Sequence, residues 1–196
     1  MDSYTVLPDA EISGPGVISN EFLQLGITGF LNACRHVHQL PYGYNSDRDD
    51  LLILFEEGRG SCTTKHAVIA TLAEELSLPV VKNIGIYRMS EDLVTGTNEI
   101  LDRFNLPYAP MVHCFLAYQN YRVDLTEGNN NGKNQPIDEF LYTEAVIPNI
   151  SAKDEYLLYR KALQEHILLR EEMQGVDIKR ILKAREEGIK LLKSKV

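Results

Sequence analysis

The chain has 196 residues, of which 44% are hydrophobic and 24% are charged, and it contains no tryptophan. This composition is typical of a soluble globular protein, and a chain of this length can bury an apolar core without disulfide or metal crosslinks. The formal net charge is −8. We therefore expect no general binding to nucleic acid, because the negative protein surface would repel the negative phosphate backbone.

The sequence shows none of the patterns that predict membrane insertion or secretion. No run approaches the roughly 20 apolar residues of a membrane span. The first residues lack the basic and apolar segments of a signal peptide. The three cysteines (Cys34, Cys62 and Cys114) are too few and too scattered for a secreted disulfide framework. We therefore expect a cytoplasmic protein with no membrane and no nucleic-acid partner.

The charge is unevenly distributed along the chain. Residues 1–150 hold 9 basic and 20 acidic side chains, whereas residues 151–196 hold 11 basic and 8 acidic ones. This shift predicts an α+β core over 1–150 and a helical C-terminal extension over 151–196 that packs on the core.

The first part of the chain is predicted to be mainly helical. Residues 1–18, rich in proline and glycine, are predicted to be extended or irregular. Apolar side chains then recur at helical spacing. Helices are predicted from Asn20 to about Gln39, from Asp47 to Glu57, and from Ser61 or Cys62 to just before Pro79, with a loop at Leu40–Ser46.

Strands follow, and then helices again. The predicted elements are a strand at Val80–Arg88, a short helix near Asn98–Phe104, a hairpin of Val112–Tyr118 and Tyr121–Thr126, a strand within Ile137–Ile147, and two helices from Ser151 that separate near Gly175. The two-residue loop Gln119-Asn120 has the commonest hairpin length. Helices, then strands, then helices favour an α+β fold over alternating βαβ units.

One cysteine lies where a glycine-rich loop becomes a helix. The segment Gly58-Arg-Gly-Ser-Cys62 places the Cys62 thiol at a helix N-terminus, where backbone N–H groups carry partial positive charge. This environment favours the thiolate, which is the nucleophilic form. The same N–H groups are suited to holding the oxyanion that forms when sulfur attacks a carbonyl. Cys34 and Cys114 instead lie among apolar neighbours and are predicted to be core residues.

The hairpin supplies a base and a carboxylate on one face. With Gln119-Asn120 as the turn, Leu116 opposes Val123, and side chains alternate between the two faces. His113 and Asp124 then lie on the same face as diagonal neighbours, about 7–8 Å apart at their Cβ atoms. In this arrangement Asp124 would fix the tautomer of His113, as the third member of a catalytic triad does.

The order and spacing of these segments resemble the transglutaminase-like superfamily. The similar segments are Gly58-Arg-Gly-Ser-Cys62-Thr-Thr-Lys-His66-Ala, Val112-His113-Cys-Phe and Tyr121-Arg-Val-Asp124-Leu-Thr. His113 follows Cys62 by 51 residues, and Asp124 follows His113 by 11. The resemblance covers roughly residues 45–128. Many members have tryptophan after the histidine and near the catalytic cysteine, whereas this chain has Cys114-Phe115 and no tryptophan.

The resemblance implies a papain-like α+β core in which the cysteine helix packs on a small antiparallel sheet. It implies Cys62 as nucleophile, His113 as base and acid, and Asp124 as the orienting group. Members act on amide or acyl bonds as proteases, deamidases, amidases or acyl transferases. The implied substrate is a peptide, a protein or a small amide, without a cofactor. Calcium-dependent cross-linking is disfavoured by the missing tryptophans.

Two other functions use the same residues. Cys62 and His66 are four residues apart on one helical face, so with His113 and Asp124 they would form a four-ligand zinc set. The other alternative is a non-catalytic binding module that keeps the fold and the three polar residues as scaffold.

Expectations also follow for the residues near Cys62 and for the C-terminal helices. Lys65 is expected to be a solvated lysine of the first helical turn, His66 to line the cleft or to pack, and Tyr42 and Tyr44 to wall a substrate cleft. Apolar stripes after Ser151 predict helices that pack on the core, and they also allow a homo-oligomer formed through these helices.

Overall fold

The computed structural model describes residues 3–196 and has a mixed α+β fold, as the sequence predicts. The helices are α1 (Val17–Gln24), α2 (Phe30–Gln39), α3 (Ile53–Glu57), α4 (Cys62–Glu75), α5 (Thr97–Phe104), α6 (Ala152–Ala162) and α7 (Ile178–Lys193). The strands are β1 (Val81–Met89), β2 (Ala109–Tyr118), β3 (Tyr121–Val123) and β4 (Tyr142–Ala145), in the sheet order β3-β2-β1-β4. Short 3₁₀ turns lie at Ser3–Val6 and Glu171–Met173, and a π-helical turn follows α6 at Leu163–Ile167.

The helices of the N-terminal region are divided differently from the prediction. The single helix predicted from Asn20 to Gln39 is wrong, because the chain forms α1 and α2 with a break between them. Gly26 lies in that break with φ of +75°, a left-handed conformation that ends α1. The start of α1 at Val17 also falls within the segment predicted to be irregular, and the prediction for residues 1–2 lies outside the described residues.

The helix predicted over Asp47–Glu57 is only five residues long. The Asp47 carboxylate accepts the N–H of Asp49, and the Asp50 carboxylate accepts the N–H of Leu52. Such local side-chain bonds hold the backbone in turns and compete with helix formation. Gly58, with φ of +61°, then ends α3 as predicted.

The predicted hairpin register is confirmed. Leu116 opposes Val123 and Tyr118 opposes Tyr121 across an antiparallel pair. Strand β3 ends at Val123 rather than at Thr126. The reason is local, because the Asp124 carboxylate accepts the backbone N–H of Thr126 and turns the chain away from the ladder.

Contacts between residues divide the chain into two compact units. The first unit comprises residues 3–84, 114–129 and 145–151, and the second comprises Gly85–His113, Asn130–Glu144 and Ala152–Val196. The predicted boundary at residue 150 lies beside one of the points where the chain passes between units. Residues 85–113 and 130–144, however, group with the C-terminal helices.

Each unit has its own apolar core. In the first unit the faces of α1, α2 and α4 pack with the hairpin, and its fully buried side chains include Ile18, Phe22, Phe30, Val37, Leu54, Ile69, Leu72, Leu116 and Val123. In the second unit α5, α6 and α7 bury Ile86, Met89, Tyr159, Leu163, Ile167, Ile181 and Ala184. Gly188 allows α7 close to Met89 and Met111, since an added Cβ would lie 2.9 Å from the Met89 methyl group.

Within residues 3–196, no helix has both the length and the apolar character needed to cross a bilayer.

The hairpin should contribute strongly to stability because Leu116 and Val123 are completely buried. We expect Leu116→Ala to lower the free energy of unfolding by about 2–5 kcal/mol, through lost apolar burial and the cavity left behind. Urea denaturation followed by circular dichroism measures this change. The control Tyr121→Ala, on a side chain that is 53% exposed, should cost less than about 1 kcal/mol. Equal costs for the two variants would contradict the difference in burial between these two side chains.

Candidate functional site

The three cysteines lie in different environments. Cys34 and Cys114 are completely buried, as predicted, and burial raises the pKa of the Cys34 thiol far above its usual range. Cys62 is partly exposed and is the first residue of the fourteen-residue helix α4. It is therefore the thiol of the described chain that is placed for reaction with an external group.

The start of α4 is fixed by its own side chains and by a close backbone approach. Ser61 and Thr64 form a reciprocal capping box, and the Ser61 N–H donates to Thr64 Oγ1 at 3.1 Å. Gly60 pairs with the loop through its N–H, which donates to the Pro41 carbonyl at 3.1 Å. A Cβ at Gly60 would lie 2.8 Å from Thr64 Oγ1 and 2.9 Å from Leu54 Cδ1, so a larger residue there would displace these side chains.

Four consecutive polar residues follow Cys62, and all four are buried: Thr63, Thr64, Lys65 and His66. Each has a partner from a distant part of the first unit. Thr63 Oγ1 lies 3.8 Å from Cys114 Sγ, and Thr64 Oγ1 donates to Asn45 at 2.8 Å. We call these four residues the buried polar run.

The expectation of a solvated Lys65 is wrong. Its side chain is completely buried, and its ammonium donates to the carbonyls of His38 and Leu40 at 3.2 and 2.5 Å and to the Asn129 side chain at 2.5 Å. Burial lowers the pKa of Lys65 to about 8, and the negative charge of Asp124 opposes this shift. Three oxygen acceptors compensate for the removal of this amine from water.

A second buried lysine was missed by the sequence analysis. Lys82 is 1% exposed, and its ammonium donates to the Thr63 carbonyl at 3.1 Å and to the Pro148 carbonyl at 2.8 Å. Lys82 occupies the same face of β1 as Ile84 and Ile86, which are buried. That alternation was the available signal. A second ammonium therefore lies against the first turn of α4.

His66 packs inside the unit rather than lining a cleft. Its ring is completely buried, Nδ1 lies 2.6 Å from the Cys62 carbonyl oxygen, and Nε2 accepts the Leu125 N–H at 2.9 Å. Both ring nitrogens therefore have protein partners, which argues against His66 as a metal ligand. Among residues 3–196 no group of three or more His, Cys, Asp and Glu side chains has a geometry suited to a metal ion.

Asp124 lies directly after β3 and is held by its neighbours. Its Oδ1 accepts the backbone N–H of Thr126 at 2.8 Å and the Thr126 hydroxyl at 2.7 Å. The same oxygen lies 3.5 Å from His66 Nε2. The structure thus brings Asp124 to the helix that begins with Cys62, through a histidine that follows Cys62 by one turn.

His113 lies on β2 and is the last residue of its segment in the second unit. Its side chain is 2% exposed, and its ring stands edge-on to the Tyr87 ring at 6.4 Å between centroids. The convergence of His113 with Cys62 and Asp124 stays a prediction.

Tyr44 is an aromatic residue of the first unit that interacts electrostatically with Cys62. Burial raises the pKa of Tyr44 to about 12, the negative charge of the Cys62 sulfur adds to the rise, and a hydrogen bond with Tyr42 acts in the opposite direction. The rings of Tyr42 and Tyr44 meet edge to face at 6.0 Å. The expectation that Tyr42 and Tyr44 wall a substrate cleft stays a prediction.

The loop that carries Tyr44 is anchored by one carboxylate. Glu57 accepts the Ser46 N–H at 3.0 Å and the Asn45 amide at 3.1 Å, and Arg59 lies 3.4 Å away. These hydrogen bonds, of which that from Ser46 is the strongest, hold the pKa of Glu57 at about 2. The loop is therefore fixed to the segment that leads into Cys62.

Comparisons with protein-family models, with curated protein sequences and with solved structures give no match to this chain.

The charge interaction between Cys62 and Tyr44 can be measured. At the high pH where Tyr44 ionises, a partly exposed thiol is a thiolate. We expect Cys62→Ser to lower the pKa of Tyr44 by about one unit or less, because the neighbouring negative charge is removed. NMR titration of ¹³C-labelled tyrosine, assigned with Tyr44→Phe, measures the shift. Cys34→Ala should leave the titration unchanged, and an unchanged curve for Cys62→Ser would place the sulfur away from the hydroxyl.

The buried amine of Lys65 should make stability depend on pH. The folded protein releases this proton near pH 8, and the unfolded chain releases it near pH 10.5, so the unfolded state binds more protons between these values. The stability contributed by Lys65 therefore rises as the pH increases through this window. Relative to Lys65→Met, we expect the wild type to gain up to about 3 kcal/mol in free energy of unfolding between the two values.

Urea denaturation of both proteins at a series of pH values measures the difference. Lys179→Met, on the surface of the second unit, is the matched control and should show no change relative to the wild type across this window. Parallel curves for the wild type and Lys65→Met would contradict the low pKa.

Proposed function

We propose that the protein performs cysteine-dependent acyl chemistry on amide bonds, with Cys62 as nucleophile, His113 as general base and acid, and Asp124 as the group that orients His113. The observation that carries the proposal is the position of Cys62. It is partly exposed at the N-terminus of a long helix, while Cys34 and Cys114 are completely buried. A helix N-terminus favours the thiolate.

The surroundings of Cys62 add support. The buried polar run and its partners hold the first turn of α4 in one position, which a nucleophile requires. Lys82 donates to the carbonyl of Thr63, the residue after Cys62. This bond adds to the contacts that hold the backbone next to Cys62 in place. Asp124 Oδ1 lies 3.5 Å from Nε2 of His66, which belongs to the helix that begins with Cys62.

The proposed reaction has two steps. The Cys62 thiolate attacks the amide carbonyl carbon and forms a C–S bond, while His113 donates a proton to the leaving nitrogen as the C–N bond breaks. Water or a second amine then attacks the thioester, gives its proton to His113, and releases the thiolate. Backbone N–H groups at the start of α4 are the expected oxyanion donors.

p-Nitrophenyl acetate provides a test that needs no knowledge of the natural substrate. The proposal predicts a burst of nitrophenolate close to one equivalent per chain, with the acetyl group on Cys62 in peptide mass spectrometry. Cys62→Ala should abolish the burst, and Cys34→Ala should retain it, because the Cys34 thiol is buried. The reference rate is the acetylation rate of Cys62 in the urea-unfolded chain. If Cys62 of the folded protein is acetylated no faster than this reference, the proposal is overturned.

The roles of the other two residues are tested in the same assay. We expect His113→Gln to slow the burst by about 10²–10⁴-fold, since the imidazole that takes the proton of the Cys62 thiol is lost. Asp124→Asn is the matched variant for the carboxylate, because the amide oxygen can still accept from Thr126 while the negative charge is removed. A burst rate that is unchanged in both variants would show that Cys62 reacts without them.

A further inference from the structure

The protonation state of His66 follows from its two partners. A carbonyl oxygen only accepts hydrogen bonds, so Nδ1, which lies 2.6 Å from the Cys62 carbonyl, carries the proton. A backbone N–H only donates, so Nε2, which lies 2.9 Å from the Leu125 nitrogen, presents its lone pair. The completely buried ring is therefore neutral and has a single tautomer.

His66 joins two pieces of backbone that are 59 residues apart. The carbonyl it binds belongs to Cys62, and the N–H it binds belongs to the peptide unit between Asp124 and Leu125. The carbonyl of Leu125 is held in turn by His38 Nδ1, which donates at 3.2 Å. One histidine thus connects the proposed nucleophile and the proposed carboxylate through their own main chains.

The same contact leaves the Asp124 carboxylate outside the hydrogen bonding of His66. Asp124 Oδ1 lies 3.5 Å from Nε2, but Nε2 has no proton to donate while it accepts from Leu125. The carboxylate is instead oriented by the N–H and hydroxyl of Thr126. His66 therefore fixes where Asp124 stands without taking its charge.

We infer that His66 is a positioning residue for the acyl chemistry, one that sets the placement of Asp124 relative to Cys62. The inference rests on the proposed function. A displacement of about 1 Å at a reacting group can reduce a rate by about 10²-fold. The hydrogen bonds of His66 join the segments that carry Cys62 and Asp124, so they directly limit the displacement of one relative to the other.

Two substitutions separate the two hydrogen bonds. In His66→Gln the amide oxygen reaches the position of Nε2 and can accept from Leu125. In His66→Asn the shorter amide reaches only the position of Nδ1 and can donate to the Cys62 carbonyl, which leaves the Leu125 N–H without its acceptor. The control is His36→Gln, at a histidine that lies on α2 in contact with Phe22.

Amide hydrogen exchange and the rate of Cys62 acetylation are the readouts. We expect His66→Asn to speed exchange at Leu125 and to slow acetylation by about 10- to 100-fold, with a shifted pH profile of the acetylation rate. We expect His66→Gln to stay within about 3-fold of the wild type, and His36→Gln to match it. Retention of the wild-type rate and pH profile by His66→Asn, despite faster exchange at Leu125, would reduce His66 to packing and overturn the inference.

The tautomer itself is tested without any activity. ¹⁵N NMR of the wild-type protein should show His66 protonated at Nδ1 and not at Nε2, and the reverse assignment would overturn the inference. A wild-type protein with this tautomer and a protected Leu125 amide that does not acetylate at Cys62 would instead contradict the proposed function. The two failures are therefore distinguishable.

Discussion

The first unit is organised by the need to satisfy the buried polar run that follows Cys62. Four polar side chains in succession are removed from water at the start of α4, and a buried polar group without a partner is costly. Their partners come from the loop at Asn45, the end of α2, strand β2, and the chain after β3. The requirement for these contacts places those segments around one helical turn.

Cys62 is the residue that this arrangement presents. It precedes the run, and it keeps part of its surface exposed while the next four side chains are enclosed. A side chain on a rigid, fully bonded turn is held in a narrower range of positions than one on a loop. The sulfur therefore stands at the edge of a fixed polar interior.

The sequence predicts the hairpin and the cysteine environments because both depend on short-range pattern. A two-residue loop between alternating apolar segments determines that Leu116 meets Val123. The apolar periodicity does not predict the two places where a helix is interrupted. At Gly26 the left-handed backbone conformation ends the helix, and at Asp50 a side-chain hydrogen bond to the Leu52 N–H holds the chain in a turn. Lys65 and His66 lie one turn before Ile69 and two turns before Ala73 on the apolar stripe of α4. Extending that stripe backwards would have predicted their burial, but their acceptors come from remote segments that no local pattern reveals.

Stability alone does not account for a buried lysine at this place. Apolar side chains of similar volume often replace buried charges without loss of stability. An apolar side chain, however, does not dictate where oxygen atoms lie, whereas the Lys65 ammonium fixes the positions of the His38 and Leu40 carbonyls and of the Asn129 amide. Asn129 also donates to the His38 carbonyl at 2.9 Å. This set of contacts closes the chain that follows Asp124 back onto α4. The buried lysine therefore acts on orientation, which is the property that the proposed nucleophile at the head of the helix requires.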